Sequence, residues 1–348
     1  MIRIDDDLII VVCMKAQVLE KPDLIENKPL KFKDYPDPVL KDNEILVRIK
    51  ACGACHSNLS MIEGDWKFLG LPAKLPIIPG HEISGVVEKV GKDSKGFMVG
   101  ERVGVQVLYD ACGNCEHCLT GREHLCMKQE GTGETVDGGY AEFIKIPYQH
   151  AYPMPDNLSF EEAAPLFCPG VTAYRAVKRA GIAFDQTVVI FGIGGVGHLS
   201  LQFAKLAGAE VIAVDTNKAT LSMASGLGAD YAVLPDELDD ILAKTGRPDV
   251  VMIHTPSQKA IDKALAIIKR GGNVMLATVA TPPPVNFTEE HNVLTSVIGT
   301  RNDMRAVLKI AAKGRIKVKV KAYDLKEANE ILLKLKNGEI VGRTVLTP

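Results

Sequence analysis

The sequence predicts an α/β chain in which a doubly wound parallel sheet is joined to a mainly β domain. Three observations carry that prediction. From Thr187 onward, short β-branched runs alternate with helical stretches, the pattern of repeated βα units. Between about 14 and 150 the chain is instead strand-like and punctuated by prolines. The turn Gly192-Ile193-Gly194-Gly195-Val196-Gly197 sits where the first β-branched run passes into a helix. At about 150 residues per domain, a chain of 348 residues accommodates two domains.

The elements follow in order. Leu8 to Met14 is an apolar run of seven residues, too short to span a bilayer. Asp5, Asp6 and Asp7 precede it, where a secretory signal carries positive charge. The run reads as a strand and the default location as cytoplasmic. Met14-Lys-Ala-Gln-Val-Leu19 resembles a chain start, so the first thirteen residues read as an added strand or a translation-start ambiguity. Glu44 to Lys50 alternates with period two, and Ile83–Val90 and Arg102–Val107 are further β-rich stretches. Ser159-Phe-Glu-Glu162 has the spacing of a capping box and opens a helix. Strands are then expected at Thr187–Phe191, Glu210–Val214, Tyr231–Leu234, Asp249–Ile253, Asn273–Ala277 and Val293–Ile298. The helices between them run over Val196–Leu206, Asn217–Gly226, Glu237–Thr245 and Ser257–Lys269. A helix at Asp303–Lys313, a strand, a helix at Leu325–Lys336 and a strand at Arg343–Leu346 close the chain and are expected to return to the β domain. The domains are therefore drawn as 1–168 with 300–348, and 169–299, with a cysteine-rich lobe at about 108–128.

Forty-one basic residues nearly cancel forty-three acidic ones, leaving a net charge of −2. That balance excludes a nucleic-acid partner or an anionic membrane surface held by a basic patch. The eight cysteines are too sparse for a disulfide scaffold in so long a chain. Four of them, Cys112, Cys115, Cys118 and Cys126, are spaced C-x2-C-x2-C-x7-C. Four thiolates fill a tetrahedral zinc completely, which makes such a site structural. An iron–sulfur cluster uses the same ligands and is the alternative metal. His117 and His124 lie inside the loop as competing ligands and are expected to face solvent. Four free thiols this close would oxidise. Cys55, His81-Glu82 and Cys168 are scattered, and no local motif joins them. Taken singly, Cys168 reads as a small buried hydrophobe and His81 as a core histidine. Cys52 and Cys55 make a C-x-x-C, but no helix clearly follows, so a redox dithiol is disfavoured.

A lone G-x-G-x-x-G is a weak match. Here it lies between strand and helix, as pyrophosphate binding at a helix N-terminus requires. Gly192, Gly194, Gly195, Val196 and Gly197 form the loop. Eighteen residues past Gly197, the second strand ends in Asp215. A carboxylate there accepts hydrogen bonds from ribose hydroxyls and repels a 2′-phosphate. No arginine follows it, so the reading is NAD(H) over NADP(H). Lys218 is the one residue that blurs this choice.

Together these residues resemble the zinc-dependent alcohol dehydrogenases of the medium-chain dehydrogenase/reductase superfamily. The resemblance runs from Met14 to Pro348. Its anchors are Gly53-Ala-Cys55-His56-Ser57, Gly64-Asp65-Trp66, Pro79-Gly80-His81-Glu82, the four-cysteine lobe, Gly138-Gly139-Tyr140-Ala141-Glu142, Cys168-Pro-Gly-Val-Thr172, the glycine fingerprint and Val341-Gly342-Arg343. It implies a GroES-like β domain beside a Rossmann domain, and two zinc ions per chain. Cys55, His81 and Cys168 become ligands of a catalytic zinc, with Glu82 close behind as an exchangeable ligand. Ser57 takes the alcohol's proton, Thr172 packs on the nicotinamide, His56 and Arg343 meet the pyrophosphate, and Trp66 lines the substrate pocket. The Gly-Asp-Trp sequence and His56 look most like the tetrameric microbial enzymes, which implies a homotetramer, with a dimer second. A small-molecule alcohol or aldehyde is the implied substrate, with no nucleic acid and no membrane as partner.

Two positions depart from the family pattern. Ser60 stands where many members carry a proton-relay histidine, so the proton must leave through Ser57, the cofactor ribose and water, or with help from His56. Asn58 stands where an aspartate commonly supports the zinc-bound histidine, which predicts a less basic His81 and a more electrophilic metal. The rivals are a zinc-free reductase of the same fold, which lacks the ligand set, and a polyol dehydrogenase, which commonly carries glutamate at the position of Cys168. A zinc module for nucleic acid is a third, disfavoured by charge.

Overall fold

The computed structural model describes residues 2–4, 8–10 and 13–348. Strands Ile2–Ile4 and Leu8–Ile10 pair antiparallel with each other. Met1, Asp5–Asp7 and Val11–Val12, on which the reading of an added strand or a translation start also rests, lie outside the described residues. The chain divides into two compact units, one running to Cys168 and resuming at Lys319, the other spanning Pro169–Val318.

The first unit is built on a sheet whose path runs through Ala151–Pro153, Arg102–Val105, Ile83–Val90, Glu44–Gly53, Arg343–Thr347 and Val320–Asp324. Phe143–Pro147 pairs with Glu44–Gly53 as well. Alternating residues of Glu44–Lys50 place Ile45, Val47 and Ile49 in the core, as period-two patterning requires. The register sets Cys52 opposite both Ile83 and Leu346. That pairing brings the end of one strand, Gly53, to the start of the other, where the Gly53 amide donates to the Glu82 carbonyl at 2.9 Å. Cys55 and His81 are thus delivered to one place by antiparallel pairing.

A helix, His56–Glu63, follows Cys55 directly. This corrects the expectation that no helix follows the C-x-x-C. Its buried residues Asn58, Leu59, Met61 and Ile62 fall at helical spacing, and Gly64 closes it in the left-handed region at φ 85°.

The second unit is a six-stranded parallel sheet in the order Tyr231–Val233, Glu210–Val214, Thr187–Phe191, Val250–Ile253, Asn273–Leu276 and Asn292–Thr295. The order reverses between Thr187–Phe191 and Val250–Ile253, the switch point where such sheets bind ligands. These central strands are buried almost throughout, so they read as continuous apolar runs rather than alternating ones. Helix Arg301–Ala312 stays with this unit, so the crossing lies at 318/319 and not at 299/300. Its first turn anchors it there. Thr300 and Asp303 form a capping box, and the Asp303 carboxylate also accepts from Arg175 Nη1 at 2.9 Å and Lys178 Nζ at 3.1 Å. Met304, Val307, Leu308 and Ala311 then form its buried stripe. No helix among the described residues is long and apolar enough to cross a membrane.

Candidate metal centres and dinucleotide site

Two groups of metal-competent donors occur among the described residues. In each, one donor atom per residue lies within 4.8 Å of all the others. The first is Cys112, Cys115, Cys118 and Cys126, and the second is Cys55, His81, Glu82 and Cys168.

In the four-cysteine lobe, Cys115 Sγ lies 3.5 Å and Cys112 Sγ 3.9 Å from Cys118 Sγ. A tetrahedral ion with sulfur ligands at about 2.3 Å places sulfurs about 3.8 Å apart. The separations are far beyond a disulfide bond, and none of the four is disulfide-bonded. The backbone N–H groups of Asn114 and Cys115 hold the Cys112 thiol down at about 6, favouring the thiolate a metal requires. The donor set therefore fits zinc. His124 is 2% exposed, which corrects the expectation that it faces solvent, while His117 is half-buried.

The second group is almost wholly buried and is assembled from three separate segments. Cys55 ends the sheet strand's extension and His81-Glu82 precedes the next strand. Cys168 follows a short helical turn, Ala164–Phe167, whose four residues are all buried. Cys55 Sγ and Cys168 Sγ are 3.9 Å apart, again the separation a tetrahedral ion sets. Hydrogen bonding to Cys168, and then to His81, lowers the Cys55 thiol well below its ordinary value, despite burial. Burial opposes charge on His81, but the Cys55 thiolate, Glu134 and Glu82 outweigh it and raise the imidazole to about 9. A buried pocket of sulfur, imidazole and carboxylate that draws positive charge in this way fits a cation. Ser57 Oγ donates to Cys55 Sγ at 3.0 Å and lies 3.3 Å from His81 Nε2, so its hydroxyl sits at the donor group. Cys52 is fully buried, and desolvation pushes its thiol well up, so it belongs to the core and not to the donor set.

Glu82 is fully buried, with Oε2 carrying no hydrogen bond. Its Oε1 accepts from Arg343 Nη2 at 2.5 Å, and the same nitrogen donates to the Ala54 carbonyl at 2.8 Å. Arg343, expected at the pyrophosphate, is 5% exposed, and these are the contacts its guanidinium makes within this unit. Sequence reading missed the pair because its partners lie 261 residues apart. Breaking a buried pair strands the remaining charge, so Arg343→Leu is expected to cost about 3–5 kcal/mol. Thermal unfolding checks this. Glu82→Gln added to Arg343→Leu should recover part of the loss, and equal midpoints for wild type and Arg343→Leu would refute the role.

In the second unit, strand Thr187–Phe191 leads into helix Gly197–Leu206 through the glycine turn. Gly192 has φ 84°, and a Cβ on Gly197 would lie 1.9 Å from the Gly192 carbonyl oxygen. A Cβ on Gly194 would meet nothing within 4 Å, so its side is open to an outside group. Asp215 ends the second strand. Its carboxylate accepts from the Ile193 amide at 2.8 Å and the Asn217 amide at 2.9 Å, tying it to the glycine turn. Each oxygen retains capacity for a further hydrogen bond. This arrangement fits the adenosine and pyrophosphate of a dinucleotide. Lys218 is exposed at the start of helix Lys218–Gly226, and Thr172 is half-buried on helix Pro169–Arg179. In the first unit His56 is exposed at the first position of its helix, and Trp66 is half-buried in the turn Asp65–Leu69. His254, at the end of strand Val250–Ile253, was not singled out from sequence. Burial holds its pKa down at about 4 and neither ring nitrogen has a hydrogen bond.

A dinucleotide-type parallel sheet together with a β unit carrying two metal-donor sets defines a metal-dependent nucleotide-linked dehydrogenase. Residues 41–156 match the alcohol dehydrogenase GroES-like domain, and residues 195–313 match the zinc-binding dehydrogenase family. An alcohol dehydrogenase of Geobacillus stearothermophilus is 42% identical over 343 residues, covering 96% of this chain and 99% of that one. An NAD-dependent alcohol dehydrogenase of Sulfurisphaera tokodaii is 36% identical, covering 92% of this chain and 97% of its own. The crystal structure of the alcohol dehydrogenase from the hyperthermophilic archaeon Aeropyrum pernix superimposes with a TM-score of 0.89 at 31% identity, over 96% of this chain and all of that one. A cobalt- and zinc-bound thermostable alcohol dehydrogenase from Pyrobaculum aerophilum gives 0.87 at 30% identity, over 97% of this chain and 100% of its own. The chain belongs to the zinc-dependent alcohol dehydrogenases of the medium-chain dehydrogenase/reductase superfamily, oxidoreductases that act on alcohols.

Proposed function

We propose that this chain transfers hydride reversibly between a primary or secondary alcohol and NAD, giving an aldehyde or ketone. The observation that carries the reading is the convergence of Cys55, His81 and Cys168, with Glu82, in a chain that also has the glycine turn and Asp215. Cys55, His81 and Cys168 would hold a catalytic zinc, and Cys112, Cys115, Cys118 and Cys126 a structural one. When bound, the catalytic zinc supplies a Lewis acid that favours the deprotonated alcohol.

The remaining chemistry falls to this chain's own groups. Ser57 Oγ accepts the alcohol's proton, since a hydroxyl both accepts and donates. With Ser60 unable to act as an imidazole relay, that proton would leave through Ser57, the cofactor ribose and water, or with help from His56. Glu82, held by Arg343, keeps a carboxylate oxygen beside the donor set as an exchangeable ligand. Asp215 would select NAD by its charge, and Gly192, Gly194, Gly195, Val196 and Gly197 would lie against the pyrophosphate, with Lys218 near the adenosine side. Thr172 would pack on the nicotinamide, and Trp66 would line the substrate pocket. Arg343 reaching the pyrophosphate, a homotetramer and a cytoplasmic location belong to the same reading, supported by the resemblance to the tetrameric microbial branch.

An NAD⁺ reduction assay across alcohols and polyols, with and without a chelator, tests the reading. Chelator-sensitive oxidation of simple alcohols is the expected result. Oxidation confined to polyols, or no oxidation of any alcohol, would overturn it. Sedimentation of the purified enzyme tests the tetramer, and metal analysis tests for about two zinc per chain.

A further inference from the structure

We propose that Glu134 is a positioning residue for the metal-ligating face of His81, supplying the negative charge that Asn58 lacks. The proposal rests on the zinc reading of Cys55, His81 and Cys168. His81 turns Nε2 toward the donor set, where it lies 3.3 Å from Ser57 Oγ, and turns Nδ1 away from it. A histidine that ligates through Nε2 carries its proton on Nδ1, and an outer partner orients the ring and raises its basicity.

Two groups bracket Nδ1. Asn58 Nδ2 lies 3.2 Å from it, while Asn58 Oδ1 is buried without a hydrogen bond. Two donors cannot bond each other, so turning the amide over presents Oδ1 to the Nδ1–H and removes the orphaned acceptor. Asn58 then orients the ring but brings no charge. Glu134 Oε1 lies 3.7 Å from Nδ1, at ion-pair distance, with its side chain 15% exposed and His81 1% exposed. At that burial a carboxylate acts on the imidazole with little screening by water.

The fold holds Glu134 there through its backbone. Its amide donates to the Gly131 carbonyl at 3.1 Å, and its carbonyl accepts from the Ala73 amide at 3.0 Å. The turn sits directly on the segment carrying His81, since a Cβ on Gly133 would lie 2.7 Å from the backbone N and O of Gly80. Gly139 N also donates to the Gly80 carbonyl at 2.8 Å. The helix that carries Asn58 and the turn that carries Glu134 therefore approach His81 independently. A carboxylate placed on either one serves the same nitrogen.

The test is zinc affinity, measured by chelator competition on the full-length enzyme, with Cys168→Ser as the reference that lacks the second site. Glu134→Gln keeps the shape of the side chain and is expected to weaken zinc at that site about 10–100-fold. Zinc in the four-cysteine lobe should be unaffected, which also reports correct folding. Asn58→Asp added to Glu134→Gln should restore affinity to within about threefold of wild type, a rescue that a merely structural role for Glu134 would not show. Unchanged affinity in Glu134→Gln, or no rescue by Asn58→Asp, would overturn the proposal. Equal zinc binding by wild type and Cys168→Ser would instead sink the metal-site reading, and the proposal with it.

Discussion

Cys168→Ser is expected to reduce alcohol oxidation at least about 10³-fold, because a Lewis acid is worth several kcal/mol and each 1.36 kcal/mol is a factor of ten. A serine hydroxyl is a poor ligand where zinc prefers thiolate. Zinc should fall from about two to about one per chain, the remaining ion being the one in the four-cysteine lobe. NADH binding should persist, because the glycine turn and Asp215 belong to a different segment of the chain. Turnover, metal content and NADH fluorescence titration on one preparation decide the matter. Retention of both zinc ions with turnover within about tenfold of wild type would show that Cys168 is not a ligand.

Gly197→Ala is expected to do the reverse. The added Cβ would lie 1.9 Å from the Gly192 oxygen and 2.9 Å from its carbon, both backbone atoms. No side-chain rotation relieves such a contact, so the turn and the first turn of helix Gly197–Leu206 must separate. Overpacking of this kind costs about 1–3 kcal/mol, which at the pyrophosphate site corresponds to NADH affinity weaker by about 10–100-fold. Zinc content should remain that of wild type. Unaltered NADH affinity would mean that the close approach of Gly192 and Gly197 does not govern cofactor binding. Taken with Cys168→Ser, the variant separates loss of metal from loss of cofactor.

The parallel sheet was legible because its signals are local. Each β-branched run and each following helix differ in period, and the strand ends found at Phe191, Val214 and Ile253 coincide with those expected. The four-cysteine lobe was legible for the same reason, its ligands falling within fifteen residues. Helix His56–Glu63 was not, because Cys55 gives it no side-chain cap and it is only eight residues long. Its clue was the helical spacing of Leu59 and Ile62, with Gly64 after the last turn. The return of the chain at Lys319 escaped prediction because helix Arg301–Ala312 is held by Arg175 and Lys178, far earlier in sequence.

What the sequence by itself determined is therefore what short-range chemistry encodes: the two types of domain, the glycine turn with Asp215, and one complete metal lobe. The scattered set of Cys55, His81 and Cys168 was joined in advance only through a family resemblance. Its physical cause is tertiary. Strand pairing at Cys52 and Ile83 brings two of the ligands together, and the buried turn before Cys168 adds the third. The pairing of Glu82 with Arg343, and the approach of Glu134 to His81, were decided by the tertiary structure alone. No local periodicity or spacing records a contact between residues distant in sequence. Such a contact exists only once sheet register and core packing have placed both partners where burial makes their charges matter.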